Sequence, residues 1–292
     1  MKYVIPRVIS EIGCNHMGKF EIALELIKLS KDCGADVAKF QKRNNKELLT
    51  AEQYNSPHPN PYNSYGDTYG AHREYLEFTV EQHAQLKEYA ESIGIEYSTS
   101  VWDITSAKEI ISINPILIKV PSACNNNAEM LRLLRDNYTG EVHISFGMTT
   151  QDEEEEVVKL FEETNQAKNR LVVYSCTSGY PVPFSDVCLL EIRRLHDKYS
   201  NRVKEIGFSG HHLGIAVDMA AYTLGAGWIE RHFTKDRTWK GTDHAASLEY
   251  QGLQKLCRDL KQGIYPALSY KSEEILPIER VQRDKLKSRV NG

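Results

Sequence analysis

The sequence predicts a single α/β domain folded as a (β/α)8 barrel, the TIM-barrel architecture. Short apolar segments of strand type alternate eight times with amphipathic segments of helix type. Such alternation is typical of parallel strands joined by crossovers, and an open doubly wound sheet usually has fewer units. The length of 292 residues suits one barrel. No glycine-rich dinucleotide or phosphate loop follows the first strand, where the chain reads EIGCNHMG.

The strands and helices are predicted from their apolar periodicity and from helix-start signals. The predicted strands lie at 7–12, 36–41, 95–100, 116–122, 141–147, 171–177, 204–210 and 227–233. The predicted helices lie near 19–33, 80–93, 104–113, 127–136, 151–164, 186–198, 214–225 and 246–262. Asp103 and Thr105 mark the start of the third helix, and the acidic run 152–156 fits a solvated helix start better than a metal site.

One connection is too long for a simple barrel loop. Residues 51–79 form a Pro-, Gly- and Tyr-rich insertion after the second strand, and we expect it to act as a lid over the barrel mouth. We assign residues 1–265 to the barrel, including this insertion, and residues 266–292 to a closing helix or tail.

Composition narrows the class of protein. The apolar share of 41% and the charged share of 26% are those of a globular protein. The net charge of −4 gives no electrostatic reason to expect a nucleic-acid partner. No run of 18 apolar residues or signal peptide is evident, so no membrane association is expected. The six cysteines lack CxxC spacing, which fits free thiols and a cytoplasmic protein.

Polar residues end the predicted strands, where active sites of such barrels lie. Lys39 and Lys119 end the second and fourth strands, and small hydroxyl residues end several others. Two ammonium groups and several hydroxyls can cradle a phosphate monoester. His211 and His232 end the seventh and eighth strands, and two adjacent imidazoles can hold a divalent metal over an open pocket.

Eight ordered motifs carry a family resemblance. EIGCNHMG, GADVAKFQ, STSVWD, IKVPSACNN, ISFGM, YSCTSGYPVPFSD, GFSGHH and ERHFTKDRTWKGTDH span roughly residues 3–285. In order and spacing they resemble the sialic acid (N-acetylneuraminate) synthase family, whose members condense phosphoenolpyruvate with an N-acylated hexosamine. The resemblance implies a barrel, a transferase activity that releases phosphate, and a divalent cofactor, with Mn²⁺ expected first and Mg²⁺ or Co²⁺ as alternatives.

The resemblance also implies roles for individual residues. The metal ligands would be His211 and His232, and the candidate catalytic residues are Glu11 and Glu230. Phosphoenolpyruvate would be bound by Lys39, Thr99, Lys119, Ser122, Ser145 and Ser209. The acceptor sugar would be contacted by Gln41, Tyr180, Asp243 and the position of Cys124.

The chain departs from the family pattern in two places. An acidic residue usual in the GSGE or GSGD motif is replaced by Cys124 in PSAC, where the thiol is either a sugar contact or a plain core residue. We also expect this chain to lack the C-terminal antifreeze-like domain of typical members. Family members are dimers, so the resemblance leaves a homodimer open.

Three alternatives remain beside a nonulosonic acid synthase acting on an N-acylhexosamine such as N-acetylmannosamine. A related synthase could use a different aldose or a sugar-phosphate acceptor, but the predicted strand ends show no spare Arg/Lys cluster for a second phosphate. A metal-dependent aldolase would leave the phosphate cradle idle. A catalytically dead barrel that binds sugars is the alternative from outside enzymes.

Overall fold

A computed structural model describes residues 3–287 and shows a closed barrel of parallel strands surrounded by helices. The strands follow one another around the barrel in chain order, and the last strand pairs with the first. Helices separate successive strands along the chain. The predicted (β/α)8 architecture is confirmed.

The elements lie within a few residues of their predicted positions. The strands of the described chain are β1 Arg7–Gly13, β2 Val37–Lys42, β3 Glu96–Val101, β4 Leu117–Val120, β5 Glu141–Ser145, β6 Leu171–Cys176, β7 Glu205–Gly210 and β8 Trp228–His232. The helices are α1 Phe20–Asp32, α2 Asn45–Leu48, α3 Ala51–Asn55, α4 Tyr69–Tyr75, α5 Val80–Ser92, α6 Ile104–Ile113, α7 Ala128–Asn137, α8 Gln151–Glu162, α9 Ala167–Arg170, α10 Glu191–Tyr199, α11 Ala216–Thr223, α12 Tyr250–Arg258, α13 Tyr265–Ala267 and α14 Pro277–Leu286. A π-helical stretch, Asp259–Ile264, joins α12 to α13.

The helix starts follow the sequence signals. Asp103 accepts a hydrogen bond from the backbone N–H of Ser106 at the start of α6. Thr150 and Glu153 form a capping box at the start of α8, so the acidic run opens a helix as predicted. These caps satisfy backbone N–H groups that have no partner inside the helix.

The strands present alternate residues to the barrel interior and to the helices. A compact floor of apolar side chains closes the interior: Ile9, Val37, Leu117, Val172, Tyr174 and Trp228. The main hydrophobic core lies outside the barrel, between strands and helices. Because side chains alternate along a strand, the residues two and four positions beyond the floor also point inward, toward the carboxyl ends of the strands.

The insertion after β2 is a folded segment. It contains α3, a short 3-10 turn at Pro61–Asn63, and α4. The ring of Tyr65 stacks on that of Tyr75, with 5.1 Å between centroids, and the Asn63 side-chain oxygen accepts from the backbone N–H of Gly241. The insertion therefore contacts the segment that follows β8, and its role as a lid stays a prediction. Among the described residues, no helix is long and apolar enough to cross a membrane.

Candidate active site

A cavity of about 300 Å³ opens at the carboxyl ends of the strands, above the apolar floor. Most of the predicted site residues line it: Glu11, Lys39, Gln41, Lys119, Ser122, Ser145, Tyr180, Ser209, His211, Glu230 and His232. These residues come from β1, β2, β4, β5, β7 and β8 and from the loops after β4, β6 and β7. The barrel topology thus brings together side chains that lie more than 200 residues apart in the chain.

Four charged side chains form a buried cluster at the base of this cavity. The Lys119 ammonium donates to both carboxylate oxygens of Glu230, at 2.9 Å each. Lys39 contacts the carboxylate of Glu11 and lies 3.7 Å from Glu230. Ser209 donates to Glu230 at 2.9 Å. The two positive and two negative charges balance one another, so neither lysine is a free cation. This differs from the prediction that both ammonium groups are available to bind a phosphate.

The cluster shifts the pKa of its members in different directions. Burial acts to raise the pKa of Glu230, but Lys119 and Lys39 outweigh it and hold that pKa well below its usual range. Burial raises the pKa of Glu11 above its usual value, against the opposing charge of Lys39. Burial lowers the pKa of Lys119, although Glu230 opposes it. Glu230 is therefore a permanent anion, whereas Glu11 takes up a proton more readily than an ordinary glutamate.

His211 and His232 lie side by side at the rim, with 5.3 Å between ring centroids. The Nδ1 atom of His211 lies 3.0 Å from the carbonyl oxygen of Thr177, so it carries the proton and leaves Nε2 with a lone pair. The Nδ1 atom of His232 is buried, has no hydrogen-bond partner, and lies 4.0 Å from Asp243. Burial lowers the pKa of His232 to about 4, which keeps its imidazole neutral at pH 7.

This pair fits a divalent metal as a partial ligand set. Neutral imidazoles are common metal ligands, and an orphaned ring nitrogen on His232 is an observation that a bound cation would explain. Within residues 3–287, no group of three or more His, Cys, Asp or Glu side chains is arranged to hold a metal ion. Oxygen atoms from water or substrate would have to complete the coordination, as expected for a catalytic and not a structural site.

Three predicted residues do not line the cavity. Thr99 points toward the helices, where its hydroxyl bonds Tyr97, because one step along a strand reverses the side chain. Ser100 is the inward residue of β3, and its hydroxyl accepts from Lys39 at 2.7 Å. The assignment of Thr99 to the phosphoenolpyruvate site was therefore wrong by one residue.

Cys124 is buried among core residues and its neighbour Ala123 lines the cavity instead. Burial raises the pKa of the Cys124 thiol to about 12, as expected for an inert side chain. Cys124 is therefore a core residue, and the alternative that its thiol contacts the sugar is corrected. Asp243 lies at the rim near His232, outside the lining of the cavity.

Sequence inspection missed several residues that line or border the cavity. Trp102, Met148, Cys176 and Ser178 line it, and the guanidinium carbon of Arg43 lies 5.5 Å from the Trp102 ring centroid. Strand parity predicts three of these positions: Arg43 continues the inward face of Lys39, Trp102 continues that of Ser100, and Cys176 continues that of Tyr174. Arg73 was not predictable in this way, because it belongs to the insertion and reaches Trp102 only in the folded chain.

Comparison with known proteins identifies the family. The model of the NeuB family matches residues 26–270. The chain is 36% identical to the N-acetylneuraminate-9-phosphate synthase of Homo sapiens, over 96% of this chain and 76% of that protein. It is 29% identical to the N,N'-diacetyllegionaminic acid synthase of Campylobacter jejuni, over 87% of this chain and 75% of that protein.

A solved structure shows the same architecture. The N-acetylneuraminic acid synthetase of Leptospira borgpetersenii, in complex with citrate, superposes with a TM-score of 0.80 at 27% sequence identity. The match covers 98% of this chain and 94% of that one. The barrel, the motif order and these matches all agree: the chain belongs to the NeuB family of sialic acid synthases.

Proposed function

We propose that this protein condenses phosphoenolpyruvate with an aldose of the N-acylhexosamine class, and with water, to give a 3-deoxy-2-keto sugar acid and inorganic phosphate. The observation that carries the proposal is the convergence of Lys39, Lys119, Glu11 and the histidine pair in one cavity at the carboxyl ends of the strands. The names of the relatives support it, since they are synthases of N-acetylneuraminate 9-phosphate and of N,N'-diacetyllegionaminic acid.

The cavity offers different chemistry on its two sides. Lys39, Ser100 and Lys119, on β2, β3 and β4, lie on one side and would bind the phosphate of phosphoenolpyruvate, and Ser209 on β7 would add its hydroxyl from beside His211. His211 and His232 lie on the other side and would hold a divalent metal, Mn²⁺ being our expectation. Such a metal supplies Lewis-acid polarisation of the sugar aldehyde when bound.

The reaction forms a carbon–carbon bond and a carbon–oxygen bond to water, and it breaks the carbon–oxygen bond between carbon 2 and the phosphate. The aldehyde oxygen takes up one proton and becomes a hydroxyl, and the hydroxyl on carbon 2 gives up its proton as the keto group forms. Carbon 3 of phosphoenolpyruvate attacks the aldehyde carbon, and water adds at carbon 2 as positive character builds there. The tetrahedral intermediate then loses phosphate by cleavage of its carbon–oxygen bond. Glu11 would accept the proton that the water gives up, since it lies beside Lys39 and its pKa is raised by burial. The lysines stabilise the departing phosphate.

Charge balance in the cluster sets a condition on binding. The two lysines are already neutralised by Glu11 and Glu230, so an incoming phosphate must draw at least one ammonium away from a carboxylate. Glu230 would then serve to orient both lysines, a positioning task in place of the catalytic role expected from sequence.

A phosphate-release assay with phosphoenolpyruvate, Mn²⁺ and a panel of hexosamines tests the proposal. We expect release that requires both the metal and the aldose, and that is abolished by chelation and by His232→Ala with the fold intact by circular dichroism. His196→Ala is the matched control, because His196 borders a cleft at the opposite, amino-terminal end of the barrel. Undiminished turnover of His232→Ala would refute the metal assignment. Absence of turnover with every aldose would favour a sugar-binding barrel.

A further inference from the structure

A chain of polar contacts crosses the floor of the barrel and ends at Lys119, and the proposed reaction does not use it. It consists of Glu141, His143 and Tyr174, and we call it the floor chain. His143 and Glu141 lie two and four residues before Ser145 on β5, so they share its inward face. Tyr174 on β6 belongs to the floor and is fully buried. The floor chain therefore runs from the amino-terminal end of β5 to the base of the cavity.

The hydrogen bonds of the floor chain all run in one direction. Lys204 donates to the Glu141 carboxylate at 2.6 Å, and the Nε2 atom of His143 lies 3.1 Å from the same carboxylate. Burial lowers the pKa of His143 to about 4, so at pH 7 its imidazole carries a single proton. The carboxylate accepts this proton from Nε2, which leaves a lone pair on Nδ1 for the hydroxyl of Tyr174, 2.7 Å away. Tyr174 is therefore a donor, and its ring is held in a fixed orientation.

The face of the Tyr174 ring lies against the ammonium group of Lys119. The ammonium nitrogen is 3.9 Å from the ring centroid, which is a cation–π distance. Both side chains are buried, and such a contact is stronger when it is shielded from water. A phenol that donates its proton to an imidazole gains electron density on its ring, so the hydrogen bond to His143 strengthens the attraction. Lys119 is thus held by two groups, the carboxylate of Glu230 and the ring of Tyr174.

The binding of a phosphate would affect these two contacts of Lys119 differently. Glu230 and a phosphate are both anionic acceptors, so they compete for the same N–H groups. The ring of Tyr174 carries no charge and attracts the ammonium through its electron-rich face, so this contact can persist while the N–H groups turn to a phosphate. The ring is therefore the fixed partner of the ammonium, and the carboxylate is the exchangeable one.

We propose that the floor chain, through Tyr174, positions the Lys119 ammonium at the base of the cavity and keeps it there when a phosphate displaces Glu230. The inference rests on the proposed function, since it takes Lys119 to bind the phosphate of phosphoenolpyruvate. Tyr174 is a positioning residue and not a catalytic one, because it acts through Lys119. An ammonium that is already held in place loses less freedom on binding, so the floor chain should set the affinity for phosphoenolpyruvate and not that for the aldose.

Calorimetric titration with phosphoenolpyruvate, with Mn²⁺ and without aldose, measures this affinity, and steady-state kinetics measure the KM for each substrate. Tyr174→Leu removes the ring, and we expect the Kd and the KM for phosphoenolpyruvate to rise by about tenfold or more. Tyr174→Phe keeps the ring and loses only the hydroxyl, so the rise should be about two- to fivefold. Both variants should leave the KM for the aldose unchanged.

Tyr97→Phe is the matched control. The hydroxyl of Tyr97 also lies 2.6 Å from the Nδ1 atom of a buried histidine, His83, but its ring belongs to the core outside the barrel. The substitution removes a comparable buried hydrogen bond and should leave the affinity for phosphoenolpyruvate unchanged. Equal affinities in Tyr97→Phe and Tyr174→Phe, or wild-type affinity in folded Tyr174→Leu, would overturn the inference while the proposed function stands.

A failure of the proposed function has a different signature: no aldose then supports phosphate release from phosphoenolpyruvate. The calorimetric comparison needs no turnover and still decides about Tyr174 in that case. A double-mutant cycle in urea tests the contact itself, with Tyr174→Leu introduced into the wild type and into Lys119→Leu. We expect Tyr174→Leu to raise the equilibrium constant of unfolding by a factor about five- to thirtyfold larger in the wild type. Equal factors in the two backgrounds would refute the contact and the inference with it.

Discussion

Replacement of Glu230 by glutamine is the most direct test of the buried charge cluster. The side chain keeps its size but loses the charge that balances Lys119 and Lys39. Lys119 lies 2.9 Å from both oxygens of Glu230, and Lys39 lies 3.7 Å away. A pair of unit charges at this shorter distance attract by about 6 kcal/mol at an effective dielectric constant of about 20.

The net cost is smaller than this attraction, because burial of the wild-type carboxylate is itself unfavourable. Removal of one partner from a buried ion pair generally costs about 3–5 kcal/mol. After Glu230→Gln, two ammonium groups share only Glu11, and the cluster carries one uncompensated positive charge. We therefore expect the free energy of unfolding to fall by about 3–5 kcal/mol near pH 7.

Urea unfolding followed by tryptophan fluorescence and circular dichroism measures this change. Glu88→Gln is the matched control, since Glu88 is exposed on α5 and should contribute less than about 0.5 kcal/mol. A loss below about 1 kcal/mol for Glu230→Gln would show that the cluster does not hold four charges, and the reasoning would fail. Addition of phosphoenolpyruvate should restore part of the lost stability if its anionic groups bind the freed lysines.

Three further predictions concern the protein near the site. His83 is buried, and burial lowers its pKa to about 3, so the folded state excludes a proton that the unfolded state binds below its ordinary pKa of about 6.5. As the pH falls from about 6.5 toward about 3, this residue alone should lower the free energy of unfolding by about 1.4 kcal/mol per pH unit. His83→Gln should reduce this dependence on pH in urea titrations at successive pH values. Gly147→Ala would place a Cβ 2.5–2.6 Å from the hydroxyls of Ser178 and Ser122. It should raise the KM for phosphoenolpyruvate by about tenfold, and an unchanged KM would remove these serines from the site. Asp218→Ala leaves the buried Arg231 without its carboxylate and should cost about 3–5 kcal/mol in thermal unfolding, with a loss under about 1 kcal/mol counting against the pair.

The insertion after β2 contacts two parts of the barrel mouth: the segment after β8 and the ring of Trp102 after β3. It was predicted as a lid from its tyrosines, and the structure shows Tyr65 stacked on Tyr75 and donating to the carbonyl oxygen of Lys240, which follows β8. The insertion also carries Arg73, whose guanidinium lies over the ring of Trp102.

The fold was decided by local patterns in the sequence. Alternating apolar runs and helix-start signals place the elements, because strand and helix periodicity depend on neighbours two to four residues apart. The same alternation places Lys39, Lys119, Glu230 and His232 on inward faces at strand ends. The alternation also explains why Thr99 was wrongly placed in the phosphoenolpyruvate site. Thr99 and Ser100 are adjacent, and only the strand register in the folded barrel shows that Ser100 faces inward.

Long-range contacts were decided by the tertiary structure alone. The pairing of Lys119 with Glu230 joins residues 111 positions apart, and it changes a pair of free cations into a neutral cluster. The burial of Cys124 and the approach of Arg73 to Trp102 likewise depend on how loops close over the barrel. The sequence by itself determined which side chains stand at the strand ends. The charge state of these side chains and the approach of Arg73 to Trp102 depend on distances between elements, which no local pattern encodes.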